Sequence, residues 1–81
     1  MAQLCTVQMM TEILHNKVGM PLNIPNVEVR AWEELGIESL GLTETCTTLE
    51  LQLGITLPFE EALETKNIQE FVTFVNASQA A

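Results

Sequence analysis

Apolar residues recur at helical spacing in three separate stretches of this chain, and that periodicity bounds the fold. Leu4, Val7, Met10, Leu14 and Val18 make the first stripe and predict a helix over 3–18. Met9 and Ile13 fall off the stripe, so a second side of that helix is expected to be contacted too. Leu42, Cys46, Leu49 and Leu53 share one narrow arc of a helix over 39–53. Ile68, Phe71, Val72 and Val75 repeat at i, i+3, i+4 and i+7, behind a capping box in which Glu70 follows Asn67 by three residues. Gly19, with Pro21 beyond it, stops the first helix, and Gly54 stops the second. Pro58 suits the start of a short helix over 59–64, after the extended connector Ile55-Thr56-Leu57-Pro58. The pattern is all-α: a small four-helix bundle of three longer helices and one short one, with a tail over 77–81 expected to fray.

The first two helices are joined by a long connection over 19–38 that is punctuated by Pro21 and Pro25. A loop of that length inside a small domain is either functional or pinned down. Leu22, Ile24, Val27, Val29, Trp32 and Leu35 are the candidate pins, Trp32 the heaviest of them, and the spacing allows a helical turn over 29–35.

Eighty-one residues supply one core, so 1–81 reads as a single domain. A formal net charge of −8 makes nucleic acid a poor partner and proteins with basic patches better ones. All eleven acidic residues are Glu, which removes the Asp-dependent calcium loop. Cys5, Cys46 and the single His15 have no metal-ligand spacing; the thiols read as small, buried, reduced apolar groups, and no metal site is expected. His15 stands near the end of the first helix, where a protonated imidazole favours the dipole. Neither a signal-peptide pattern nor an apolar run of transmembrane length is present, so a cytoplasmic protein with no membrane role is expected.

The stretch Glu34-Leu35-Gly36-Ile37-Glu38-Ser39-Leu40-Gly41-Leu42 ends the long connection and opens the second helix. Ser39 falls where several backbone N–H groups lack helical partners. A serine there can cap them, and the same donors with the helix dipole favour a phosphate held at that point. A plain cap is the commoner use of such a serine. Nucleophilic use would need a base, and His15 has no evident route to Ser39. Position 37 is Ile, so the Gly-x-Ser-x-Gly elbow also fails. No catalytic residue is assigned. The arc opposite the core stripe holds Leu40, Glu44, Thr47 and Leu51, and two leucines on an outward face demand a reason. Thr43, Thr45, Thr47 and Thr48 weaken this helix, and Gly41 costs about 1 kcal/mol relative to Ala, so tertiary packing must hold it.

The run Leu35-Gly36-Ile37-Glu38-Ser39-Leu40 resembles the attachment site of the acyl and peptidyl carrier protein family, whose usual form is Leu-Gly-x-Asp-Ser-Leu. It departs only at Glu38, which keeps the charge and adds one methylene. Gly54-Ile55-Thr56-Leu57-Pro58 and the closing helix over 67–75 also resemble that family; the likeness is strong from Trp32 onward and loose before it. It implies 4′-phosphopantetheine esterified to Ser39, with an acyl, aminoacyl or polyketide intermediate held on the arm as a thioester. Glu38 stands where the family's acidic residue helps a magnesium-dependent phosphopantetheinyl transferase engage the carrier; the simpler use is a charge that favours a helix N-terminus. Glu44 and Glu50 fall on positions that are typically acidic in acyl carriers, where they meet basic docking patches, although a helix charge is more often just a solvated face. Leu40 and Thr47 would be the contact centre. Leu51 stands where fatty-acid carriers often have another acidic residue, so either the partners offer a more apolar patch or Leu51 packs on the long loop.

The implied function is a discrete, non-enzymatic acyl carrier of fatty acid or specialised (polyketide or hybrid) biosynthesis. The start of the first helix almost at Met1 reads as a free-standing carrier, and a monomer is expected. Its partners would be the transferase, an acyl- or aminoacyl-loading enzyme, a ketosynthase and an acyltransferase. Two rivals stay open: a peptidyl carrier of a nonribosomal peptide pathway, and a cofactor-free helical interaction module that uses Leu40 and Leu51 as its binding stripe.

Overall fold

The computed structural model describes residues 4–80, and for Ala80 the backbone only. Among them lie four α-helices: α1 (Val7–Val18), α2 (Ser39–Leu53), the short α3 (Phe59–Ala62) and α4 (Ile68–Ala80). A 3-10 turn, Val27–Val29, interrupts the connection between α1 and α2. This is the all-α, four-helix arrangement with a long first loop that the stripes predict.

Helix α1 starts four residues later than its stripe suggests, and Gln3 lies outside the described residues. Thr6 caps it, its hydroxyl accepting from the Met9 N–H at 3.1 Å. The residue before the cap is held out of the helix by the other end of the chain. Cys5 donates its N–H to Asn76 Oδ1 at 2.8 Å, and Asn76 Nδ2 donates back to the Cys5 carbonyl at 3.0 Å. With both backbone groups of Cys5 engaged, Leu4 is left exposed. The buried face of α1 is Met10, Ile13 and Leu14, with Met9 half-buried, so the expected second contact side is real. It arises because α1 packs against both α2 and α4. At its C-terminus Gly19 is left-handed, and His15 Nδ1 donates to the Met20 carbonyl at 2.7 Å, tying down the chain as it leaves.

The long connection is pinned, though not by every residue proposed. Trp32 is buried; its indole N–H donates to the Thr65 carbonyl at 2.9 Å and its backbone N–H to the Lys66 carbonyl at 3.1 Å. Its ring meets Phe71 of α4 edge-on at 6.0 Å. Ile24, Val27 and Leu35 are half-buried against the core, but Leu22 and Val29 are exposed. The unanticipated pins are Met20 and Ile37, both buried. The helical turn expected over 29–35 is displaced as well. The 3-10 turn comes earlier, and a separate hydrogen-bonded turn spans 32–36, because the chain must re-aim after Trp32 docks.

Helices α2 and α4 supply the centre of the core. Leu49, Ile68, Phe71 and Val75 are fully buried, together with Met10 and Leu14 of α1. The box that opens α4 is skewed by one residue: Asn67 Oδ1 accepts from the Glu70 N–H at 2.8 Å, while the Glu70 carboxylate reaches back to the Lys66 N–H at 3.0 Å rather than to that of Asn67. Helix α3 stops at Ala62, shorter than expected. Helix α4 continues to Ala80, past Asn76, where the tail was expected to fray. Within that extension Ser78 donates to the Phe74 carbonyl at 3.0 Å and Gln79 Nε2 to Asn76 Oδ1 at 3.3 Å. Ala81 lies outside the described residues.

Candidate cofactor-attachment site

The approach to Ser39 is built by the turn over 32–36. The Ala31 N–H is held by the Glu34 carboxylate at 3.0 Å, Gly36 takes a left-handed φ of 71°, and the Ile37 N–H returns to the Trp32 carbonyl at 3.0 Å. A residue with a Cβ is strained at that φ, so glycine lets the chain reverse three residues before the helix start. Since Trp32 is itself bonded to the α3–α4 connector, the turn is anchored from beneath. Ile37 then points into the core, and Glu38, Ser39 and Leu40 follow as three consecutive exposed residues.

Ser39 is the first residue of α2. The cap position is taken by Glu38, whose carboxylate makes no capping bond. The expectation of a serine at the helix start holds, but Ser39 sits one residue inside rather than acting as the cap. The first closing bond of the helix is Leu42 N–H to the Glu38 carbonyl at 3.1 Å. The N–H groups of Ser39, Leu40 and Gly41 therefore have no helical acceptor, and they face the side where negative charge is favoured.

What turns Ser39 outward is the residue two places on. Gly41 is buried, and a Cβ built on it would lie 3.1 Å from Val18 Cγ1 and 3.5 Å from Ile37 Cγ2. Its bare backbone thus lets the last turn of α1 close onto the first turn of α2. Gly41 and Leu42 face the bundle and Ser39 faces solvent. Sequence reasoning counted Gly41 only as a helix weakener; a glycine one turn into a helix is itself a signal of close approach.

The remaining singled-out residues separate into two groups. Leu40, Glu44, Thr47 and Leu51 are all exposed along the outward side of α2, Leu40 at 68% and Leu51 at 83%. Leu51 therefore does not pack on the long loop. Glu50 is half-buried, and its Oε2 accepts from the Leu57 N–H at 2.8 Å, which fastens the connector to α3. Cys5 and Cys46 are free, buried thiols, both pushed up to about 11 by burial, with the Glu50 carboxylate adding to the effect at Cys46. Among the described residues no group of three or more His, Cys, Asp or Glu could hold a metal ion, and no helix is long and apolar enough to cross a membrane.

Ser39 thus faces solvent at the start of a helix in a small bundle. The family pattern described as a phosphopantetheine attachment site matches residues 10–75. An acyl carrier protein of Rickettsia bellii is 28% identical over 68 residues, covering 84% of each chain. An anthracycline acyl carrier protein of Streptomyces peucetius is 30% identical over 79 residues, covering 94% of this chain and 92% of the relative. Among solved structures, the 3-oxo-butyl form of the carrier from the actinorhodin polyketide synthase of Streptomyces coelicolor superposes with a TM-score of 0.83 at 26% identity, covering 99% and 96% of the two chains. The holo form of that carrier gives 0.82 at 25% identity over the same shares.

The chain belongs to the acyl carrier protein family. It is a carrier of acyl or polyketide intermediates, held on a covalently attached phosphopantetheine. Proteins of this family carry rather than catalyse, and they work with a phosphopantetheinyl transferase and with the enzymes of their pathway.

Proposed function

We propose that Ser39 is the residue that carries the phosphopantetheine, in a specialised polyketide pathway. The supporting observation is the placement of its hydroxyl: exposed, on the first residue of α2, with three unpaired N–H groups behind it. That environment fits a phosphodiester, because backbone donors and the dipole act on the anion together. The chain itself supplies the anchor, the bundle that aims it and a surface for partners, and performs no chemistry. When bound, the arm supplies a thiol that holds the cargo as a thioester. A cytoplasmic, monomeric carrier with no nucleic acid or membrane partner agrees with the acidic composition. The polyketide assignment draws on the likeness to the anthracycline and actinorhodin carriers.

Docking follows the outward side of α2. Glu38 and Glu44 supply the charge that steers a basic partner; Leu40, Thr47 and Leu51 supply the contact centre. Glu50 joins them as a rim charge with one oxygen already bound to Leu57. The transferase, a loading enzyme or acyltransferase, and a ketosynthase would share this one face, so contacts must be brief. The test is incubation with coenzyme A and a broad-specificity phosphopantetheinyl transferase. Intact mass should rise by one phosphopantetheine in the wild type and by none in Ser39→Ala. A gain that survives that substitution would place the arm elsewhere.

A further inference from the structure

The start of α2 is not held in place by its own groups. Among the described residues the N–H groups of 38–41 make no hydrogen bond, and the Glu38 side chain caps nothing. The last backbone bond before the helix begins its own ladder runs from the Ile37 N–H to the Trp32 carbonyl at 3.0 Å, and the Leu35 N–H meets the same carbonyl at 3.1 Å. Ser39 follows two residues after Ile37. Its placement is therefore decided by whatever fixes Trp32.

Two residues of the α3–α4 connector hold it. The Trp32 backbone N–H donates to the Lys66 carbonyl at 3.1 Å, and the indole N–H is shared between the Thr65 carbonyl at 2.9 Å and the Thr65 hydroxyl at 3.3 Å. That hydroxyl gives its own proton to the carbonyl of Ala62, the last residue of α3, at 2.7 Å. The backbone bond alone leaves the turn free to roll about a single contact. The indole bond, made at the far end of a rigid ring, stops the roll. An edge-on ring contact such as that with Phe71 at 6.0 Å tolerates sliding, whereas a hydrogen bond from an indole has one direction. Of the contacts at Trp32, the indole bond is the one that fixes orientation.

We propose that Trp32 is a positioning residue for the loading of Ser39: its indole bond to Thr65 sets the direction in which the serine oxygen meets the transferase. The inference rests on attachment at Ser39. In loading, the serine oxygen forms a bond to the phosphorus of coenzyme A that bears the pantetheine. The pyrophosphate bond breaks, the nucleotide leaves with the electron pair, and the serine proton passes to a base of the transferase. Such a displacement needs the oxygen in line with the departing bond, and a misplacement of about 1 Å can cost about a hundredfold. With no cap on the first turn of α2, a roll of the 32–37 turn reaches the serine with nothing between to absorb it. Trp32 touches no substrate and acts through Ile37. Docking uses the outward side of α2, away from this tie, so the effect belongs to the transfer step and not to affinity.

The experiment follows single-turnover loading from coenzyme A with the transferase in excess, so that the maximal rate reports transfer and half-saturation reports docking. Three chains are compared with wild type. One carries benzothienylalanine at position 32, which keeps the bicyclic ring and puts sulfur in place of the N–H. The second is Trp32→Phe. The third is Phe71→Leu, which removes the ring beside Trp32 and leaves both of its hydrogen bonds. Loss of the indole donor should slow transfer about fivefold in both position-32 chains, the bias that one net hydrogen bond supplies, with half-saturation unmoved and the Ile37, Ser39 and Leu40 amide signals shifted. Phe71→Leu should lower the urea midpoint well below that of the benzothienyl chain and still load at the wild-type maximal rate. A transfer rate that simply tracks the urea midpoint across the three chains would make Trp32 structural only. A wild-type rate in the benzothienyl chain, or a change in half-saturation in place of rate, would overturn the positioning role and leave attachment at Ser39 standing. A wild-type chain that gains no mass, or one that gains it equally after Ser39→Ala, would instead remove the attachment site, and the positioning with it.

Discussion

Helices α2 and α4 are of similar length and both feed the core, yet they obey different rules. Helix α4 shows its burial pattern on its surface: Ile68, Phe71, Val72 and Val75 are buried at the spacing the stripe requires, and its N-terminus is closed by side chains from both sides. Helix α2 breaks local rules at several positions. It has no side-chain cap, a glycine in its first turn, and four threonines whose hydroxyls bond back to carbonyls four residues earlier. It also holds two leucines out in water. A helix that presents an exposed serine at its start and admits a neighbour at close range is not built for its own stability alone. Violations of this kind concentrate where a chain is used.

The widest gap between the two helices should appear on truncation. Phe71→Ala removes a fully buried ring that also touches Trp32 and Phe74, and should cost about 3–5 kcal/mol in urea unfolding, most of the stability of so small a domain. Ser39→Ala should change the same unfolding curve by no more than about 0.5 kcal/mol while abolishing modification. A Ser39→Ala variant that loses several kcal/mol would mean that the serine is structural after all.

An intermediate effect is expected from the two thiols. Burial raises both Cys5 and Cys46 from an ordinary 9.0 to about 11 in the folded chain. The folded state therefore keeps protons that the unfolded state releases. This contribution is fully present below pH 9 and is lost as pH rises toward 11. Urea midpoints measured from pH 7 to 11 should hold steady and then fall over that window, and Cys46→Ala should make the fall shallower. Smaller again is the cap of α4. Asn67→Ala leaves the Glu70 N–H without its partner and should cost about 1 kcal/mol, whereas no such side-chain bond exists to be removed at the start of α2.

What could be read from the chain follows the same division. The stripes place three helices because burial repeats with the helical period, and α2 runs over the residues its stripe marks, 39–53. That Ser39 opens a helix was legible from the stripe that follows it, and the serine stood out through the resemblance of Leu35-Gly36-Ile37-Glu38-Ser39-Leu40 to the carrier attachment motif. Contacts between distant parts of the chain were not legible. Asn76 holding both backbone groups of Cys5 across 71 positions shortens α1 and leaves no periodic trace. Trp32 bonded to the α3–α4 connector is a similar case: its weight was plain from composition, its partners Thr65 and Lys66 were not. The packing role of Gly41 was missed for a third reason. It matters only through the neighbour it faces, Val18 of α1.

The smallest expected effect on stability is also the sharpest test of the outward face. Leu51 is 83% exposed, so Leu51→Gln should leave unfolding within about 0.5 kcal/mol of wild type. If Leu51 belongs to a docking centre, loading of Ser39 by the transferase should nevertheless lose about fivefold in kcat/KM, roughly 1 kcal/mol, as for an interface residue of middling weight. That loss should be the same at low and high salt, because an apolar contact is indifferent to screening. Glu44→Gln should behave in the opposite way, slowing loading at low salt and converging on wild type as the salt rises past the point where the Debye length is about 8 Å. Equal salt dependence in the two variants would show that Leu51 acts only through the charges around it, and the contrast between a helix built for the core and one built for partners would then rest on Ser39 alone.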